Sequence, residues 1–188
     1  MRPFIRGNVA IRGAAGSDAA VIAEAHVQAW QDAYRGILPA IVLSGFTVAS
    51  RLEQWRRTLS DEDNGQDAFV AEASGVGIIG FASAGPQRGD ASRFMGEIYT
   101  LYVLAAWQRR GIGTALLGIL SRALERRGRS SASLWVLKDN SQARLFYERH
   151  GGVVVAERLE RFGQAQVLEL AYGWDDVRTM GRGASKRA

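Results

Sequence analysis

The sequence predicts a mixed α/β fold, with a mostly antiparallel central sheet of about seven strands flanked by four helices. Three observations carry it. Apolar runs of strand length, separated by short turns, recur as hairpins in the middle and at the end of the chain. Amphipathic stretches at helical spacing lie between the first strand and these hairpins. A strand–helix–strand succession in the second half demands a parallel crossover. The chain has 188 residues and 47% hydrophobic content, enough for one sizeable core and short for two ordinary domains. A single domain over 1–174 is expected.

"VAIRGA", residues 9–14, reads as the first strand. Ser17 is placed to cap a helix from about Asp18 to Tyr34, with Asp18 suited to its positive end. Ile22, His26, Trp30 and Tyr34, spaced by four, share one face of it. Gly36 and Pro39 then break the chain, and a second helix, Val48 to Leu59, carries Leu52, Trp55 and Leu59 on one side. "AFVAEA" and "VGIIGFASAG" form a hairpin about Ser74-Gly75. After the polar loop "PQRGDASR" comes "FMGEIYTLYVL", a third strand of this group, rich in β-branched and aromatic residues. The helix opened by "WQRRGIGTALL" ends at Gly128, where a left-handed cap residue is expected. "SASLWVL" is a strand, "NSQARLFYERH" the fourth helix, and "VVVAERLERF" with "QAQVLELAYGW" a closing hairpin. The stretch from Asp175, ending "GRGASKRA", lacks apolar periodicity and is expected to be a disordered basic tail, 175–188.

Composition excludes several function classes. With no cysteine there is no disulfide, thiolate metal site or cysteine nucleophile. The two histidines, His26 and His150, are far apart, so no metal site is expected. No apolar run approaches the roughly 20 residues that cross a bilayer. The opening "MRPFIRGNVAIRG" lacks the apolar middle of a secretory signal, which favours a cytoplasmic location. A formal charge of +5, carried almost entirely by arginine, favours anionic partners without choosing among them.

Glycine inside a helix costs about 1 kcal/mol relative to alanine, so Gly111 and Gly113 in the first turns need a reason. One reason is access, because a helix N-terminus without side chains offers free amides and the positive end of the dipole to a phosphate. Arg109 and Arg110 add charge beside that nest. The other reason is close packing of helix on sheet, and spacing alone does not separate the two. No lysine follows Gly113, as a P-loop needs, and Leu116 stands where a dinucleotide fingerprint has its third glycine.

"QRRGIG", Gln108 to Gly113, after a strand and at a helix start, resembles the pyrophosphate motif Gln/Arg-x-x-Gly-x-Gly/Ala of the GCN5-related N-acetyltransferases (GNAT), bacterial type. "LWVLKDNSQARLFYERHGG" is similar to that family's later strand–helix segment, in which an asparagine opens a helix and a tyrosine lies seven residues on. "HVQAWQDAYRGILP" is similar to the amino-terminal helix region of bacterial members. The resemblance extends to about Trp174 and implies the GNAT acyl-CoA N-acyltransferase fold, acetyl-CoA as co-substrate without a metal, and direct transfer to a primary amine in a ternary complex. It implies that the backbone of Leu101, Tyr102 and Val103 pairs with the pantetheine arm. Gln108 and the amides of Arg109, Arg110, Gly111, Ile112, Gly113 and Thr114 would hold the pyrophosphate. Asn140 would contact the cofactor arm and Tyr147 serve as general acid to the departing thiolate; two helical turns apart, they share a face. Glu97, on the strand leading to "LYV", is the candidate general base, with a water chain as the alternative. Trp30 and Tyr34 would line the acceptor pocket. Gly152 departs from the family's usual Gly-Phe and implies a lost packing anchor beneath the last hairpin.

The bland alternatives are a salt-bridged strand residue for Glu97, core aromatics for Tyr147, Trp30 and Tyr34, and a helix-end residue for His150. Two other functions compete: a basic nucleic-acid-binding protein, and a non-catalytic acetyl-CoA sensor on the same fold. The arginines are scattered over many segments and no nucleic-acid module appears, so neither nucleic acid nor membrane is the expected partner. A small-molecule amine or a protein amino group is, and the resemblance allows a homodimer.

Overall fold

The computed structural model describes residues 8–60, 64–89, 93–163 and 165–181. The order is β1 (Val9–Gly13), α1 (Ala19–Tyr34), α2 (Ala40–Gly45), α3 (Val48–Ser60), β2 (Asp67–Ala73), β3 (Gly77–Pro86), β4 (Gly96–Val103), α4 (Ile112–Arg126), β5 (Ala132–Leu137), α5 (Ser141–Arg149), β6 (Val153–Phe162) and β7 (Ala165–Trp174). One seven-stranded sheet runs β1-β2-β3-β4-β5-β7-β6. Every neighbouring pair is antiparallel except β4 with β5, joined through α4. This is the mixed, mostly antiparallel sheet expected. Among the described residues the α-helices number five rather than four.

The extra helix is α2. Its six residues, "AIVLSG", are largely exposed, with Ile41 79% accessible, so no apolar face announces it. Pro39 starts it by offering its carbonyl to the amides of Val42 and Leu43. The N-cap position of α1 falls on Asp18 rather than Ser17, but its side chain turns back and does not cap α1: the carboxylate accepts the Ala15 amide at 2.8 Å and pairs with Arg12 at 2.6 Å, closing a 3₁₀ turn, Gly16–Asp18.

Two cores face the sheet from opposite sides. Ile22, Ala23 and Trp55 from α1 and α3 close on Val70 and Phe81. On the other face Leu116, Leu117, Leu120 and Leu124 of α4 are almost fully buried against Ile79, Ile98 and Leu134. Each such leucine contributes about 1.5–3 kcal/mol. Gly96 is needed there, since an added Cβ would meet Leu124 at 2.7 Å.

The site follows from two irregularities in β4. Ser83 faces Thr100 while Ala84 faces Ile98, so Tyr99 is an extra, bulged residue. Pairing with β5 lasts only for Gly96 with Ala132 and Glu97 with Ser133. Beyond that point β5 stays with β7 through Leu137, and the sheet opens between β4 and β5.

The chain beyond Trp174 corrects the expectation of a tail beginning at Asp175. A 3₁₀ turn, Val177–Thr179, seats Val177 and Met180 in the core, 1% and 2% exposed. Asp176 caps it by accepting the Arg178 amide at 2.9 Å, and the Ser121 hydroxyl donates to the Val177 carbonyl at 2.6 Å. Residues 182–188 lie outside those described.

Gly152 is also no lost anchor. An added Cβ would stand 2.7 Å from Trp174, whose indole fills that space and donates to the His150 carbonyl at 2.8 Å.

Candidate active site

The opening between β4 and β5 is a cleft of about 550 Å³. Its walls come from α1, the strand ends on either side of the gap, the start of α4, and α5. It brings together Tyr34, Leu101, Tyr102, Val103, Gln108, Arg109, Gly111, Gly113, Thr114, Asn140 and Tyr147, all expected from the sequence. Glu97, Trp30, Arg110 and Ile112 are absent from its walls.

At the head of α4 the first amide with a helical acceptor is that of Ala115, which donates to the Gly111 carbonyl at 3.0 Å. Helix geometry leaves the amides of Ile112, Gly113 and Thr114 without one. The two glycines differ. Gly111 caps the helix at φ +82° in otherwise open space, so its conformation calls for glycine. At Gly113 an added Cβ would stand in ordinary contact with the Phe146 ring, at 3.4 Å, so neither crowding nor conformation calls for glycine there. Arg109 turns left-handed as well, at φ +61°, and with Gly111 curls the backbone into a nest of amides. Arg110 points back, donating to the Ala106 carbonyl at 3.0 Å and lying 4.7 Å over the Trp107 ring. Ile112 sends its side chain into the core, so only its amide faces this end.

Two expected ligand groups are already engaged. The Gln108 side chain donates to the Val103 carbonyl at 3.0 Å and accepts from Gln142 at 2.7 Å, tying β4 to α5. Asn140 caps α5 by accepting the Ala143 amide at 3.1 Å, with its side chain beside the Tyr34 hydroxyl. His150, read from the sequence as a helix-end residue, caps α5 and also lines the cleft. Its Nδ1 meets the Phe146 carbonyl at 2.7 Å and its Nε2 the Thr114 hydroxyl at 3.0 Å, linking α5 to the head of α4.

Tyr147 lies against Phe146, Tyr172 and Trp174 and lines the cleft. Burial, with a smaller contribution from Tyr34, holds its phenol well above the ordinary tyrosine range. Tyr34 and Tyr102 meet on the α1 side with hydroxyls 3.4 Å apart, and burial raises both.

Glu97 is the main departure from expectation. It is paired with Ser133 at the closed end of the gap, where Arg88 holds it at 2.8 Å and the Arg88 amide donates at 2.9 Å. The salt-bridged strand residue is the reading that fits. Trp30 likewise stacks on Phe46 at 4.2 Å and crosses Tyr34 at 4.4 Å, a member of the aromatic cluster behind the pocket.

The sequence reading missed two carboxylates. Asp32 of α1 lines the cleft. Glu169 of β7 is buried near the Tyr34 and Tyr102 phenols, paired with Arg158 at 2.7 Å. Burial pushes its carboxyl upward and Arg158 opposes the shift. Arg158 in turn lies 4.1 Å over Trp135, another wall of the cleft. The signal was a lone charge inside the apolar run "VLELAY". Among the described residues no group of three or more histidine or carboxylate side chains is placed to hold a metal, and no helix is long and apolar enough to cross a membrane.

A sheet split beside a glycine-opened helix start, with a tyrosine from the next helix in the gap, is the arrangement that the resemblance to the GNAT acetyltransferases implies. Residues 27–152 match the acetyltransferase (GNAT) family, and the chain belongs to that family. It is 32% identical over 170 residues to the uncharacterized N-acetyltransferase YuaI of Bacillus subtilis (strain 168), covering 90% of this chain and 94% of the relative. Among solved structures, a putative acetyltransferase of Salmonella typhimurium with its cofactor acetyl-CoA is similar at a TM-score of 0.65 and 24% identity, over 89% of this chain and 94% of that one. The PaiA N-acetyltransferase of Thermoplasma acidophilum in complex with coenzyme A is similar at 0.65 and 20%, over 86% and 97%.

Proposed function

We propose that this chain passes the acetyl group of acetyl-CoA directly to an amine, with both substrates held in the cleft at once. When bound, acetyl-CoA supplies the activated acyl group as a thioester. The observation that carries the reading is the lost ladder beyond Glu97 and Ser133. It leaves one backbone edge of β4 unpaired by β5, leading to the open amides of α4, and so suits an extended amide-bearing arm that ends in a pyrophosphate.

The backbone of Leu101, Tyr102 and Val103 takes that arm, and the amides of residues 112–114 take the pyrophosphate with Arg109 beside them. Gln108 shapes the wall while tied to Val103. Asn140 offers its amide nitrogen, since its oxygen caps α5. Tyr147 remains a neutral hydrogen-bond donor because its phenol is raised. A thiol has a reference pKa near 8.5, so complete proton transfer from this phenol to a thiolate runs uphill. Tyr147 therefore steadies the leaving sulfur by hydrogen bonding.

The amine enters from the α1 side, past Tyr34. An ordinary amine has a reference pKa near 10.4 and must shed a proton before it attacks; with Glu97 engaged by Arg88, water in the open cleft takes up that proton and carries it to bulk solvent. Glu97 is held away by the Arg88 pair, whereas Asp32 lines the cleft on this side and attracts a cation. Direct transfer fits a chain without cysteine, which lacks the commonest acyl nucleophile.

A turnover screen with acetyl-CoA over polyamines, aminoglycosides, amino acids and peptides tests the reading. Thiol release dependent on one amine class is the expected result. Absence of acetyl-CoA binding in calorimetry overturns it, and binding without transfer to any amine would favour the sensor.

A further inference from the structure

The last strand of the sheet, β6, pairs with β7 along one edge, and no strand among the described residues covers the other. It is ten residues long and mostly exposed, with Leu159 69% accessible. A long bare edge with exposed apolar residues invites another strand unless its charges repel one. Here the charges select a partner. Around Leu159 the order is Glu157, Arg158, Leu159, Glu160, Arg161, and the sign pattern inverts about the leucine.

We propose that β6 pairs antiparallel with β6 of a second copy of this chain, on a two-fold axis through Leu159. In an antiparallel ladder, directly opposite residues share the same hydrogen-bonding type, which alternates along a strand. A strand pairing with its own copy must therefore place the axis through a residue. An axis through Glu157, Arg158, Glu160 or Arg161 sets a charge against its own copy. An axis through Ala156 runs the pairing across the register shift between Val154 and Ala156. With Leu159 on the axis, Leu159 meets Leu159, Glu157 meets Arg161, Arg158 meets Glu160 and Ala156 meets Phe162, each unlike pair occurring twice. Like charges face each other nowhere in this register.

The state of these charges within one chain supports the pairing. Arg158 is already held by Glu169 at 2.7 Å and Glu160 at 3.4 Å, which fixes its position. Glu157 and Arg161 have no ion-pair partner among the described residues and complement each other across the axis. Joined in this way, the two sheets become one continuous sheet, and the two clefts remain open because each lies on the far side of β7 from the joined edge.

Charge swapping at the two unpaired positions tests the register. Sedimentation equilibrium of the full chain, a 20.5 kDa monomer, is expected to show a dimer at micromolar concentration. Glu157→Arg sets arginine against arginine at both outer pairs, and Arg161→Glu sets glutamate against glutamate there; each alone should weaken the dimer at least tenfold. Both positions are exposed, so the melting temperature of each variant is expected to stay near that of the parent at a concentration where all are monomeric. The double variant should recover the dimer. Mixing the two single variants should yield a heterodimer, since every facing charge pair is then unlike. A monomeric parent chain overturns the proposal, and so does a dimer that neither single variant weakens, or a mixture that stays monomeric. None of these outcomes bears on acetyl transfer, which is assayed separately.

Discussion

At the scale of single residues, two polar side chains separate chemistry from scaffolding. Tyr147→Phe removes a hydroxyl from the cleft and leaves the ring packing with Phe146, Tyr172 and Trp174 in place. Turnover should fall about 100-fold, the cost of removing one hydrogen-bond donor to developing charge, with the dissociation constant for acetyl-CoA unchanged; steady-state kinetics with calorimetry checks both, and unchanged turnover removes the residue from the mechanism. Glu97→Gln is expected to do the reverse. It weakens the pair with Arg88, whose side chain is 60% exposed and recovers solvent, so the loss is about 1 kcal/mol. Denaturant melting should register that loss while the pH dependence of kcat/KM keeps its shape. A lost acidic limb, the rise in kcat/KM as a base deprotonates, would restore Glu97 as the general base. Its side chain was not legible beforehand, because the bulge at Tyr99 resets the alternation along β4 and the Arg88 that holds Glu97 comes from the loop after β3.

At the scale of elements, most of the fold was legible where periodicity and turn residues agreed. β6 falls on the expected residues and α4 ends before Gly128, which is left-handed at φ +73°. The misses share a cause. α2 has no fully buried residue and packs only Val42 and Leu43 in part against the core, and the turn at Val177–Thr179 has only Val177 and Met180 to signal burial. Neither is long enough to show a period. The interface of α1 with α3 makes a pH prediction. His26 accepts from the Trp55 indole at 3.2 Å amid Phe46, Phe81 and Tyr102, and burial, with Arg51 adding, lowers its pKa from 6.5 to about 3. The unfolded chain thus takes up this proton first as pH falls. The stability contributed by neutral His26 is complete above pH 6.5 and is lost progressively toward pH 3. At pH 5 the loss is about 2 kcal/mol. Thermal melting from pH 7 to 5 should show it, and His26→Gln, which cannot titrate, should flatten the dependence. The head of α4 makes another prediction. Since Gly111 is required by its φ of +82° and not by crowding, Gly111→Asn should keep acetyl-CoA binding and Gly111→Val should lose it. Equal loss in both would show that space, not conformation, governs the site.

At the scale of the whole molecule, the open gap between β4 and β5 is a local deficit that a ligand can offset. Each strand there gives up ladder partners on one side, so the two halves of the sheet are joined by two residue pairs and by the helices laid over them. A ligand that binds only the folded cleft raises stability by RT ln(1 + [L]/Kd), about 2.7 kcal/mol at 100 times Kd. For a chain of this size that is a rise in Tm of roughly 5–10 °C. Scanning calorimetry with acetyl-CoA should show this rise, and CoA without the acetyl group should match most of it, because in the proposed binding mode the arm and the pyrophosphate carry most of the contacts. The rise should vanish in Gly111→Val even though that variant melts as one transition. If Gly111→Val kept the full rise, the amides of α4 would not hold the pyrophosphate, and the cleft would bind acetyl-CoA through the edge of β4 alone.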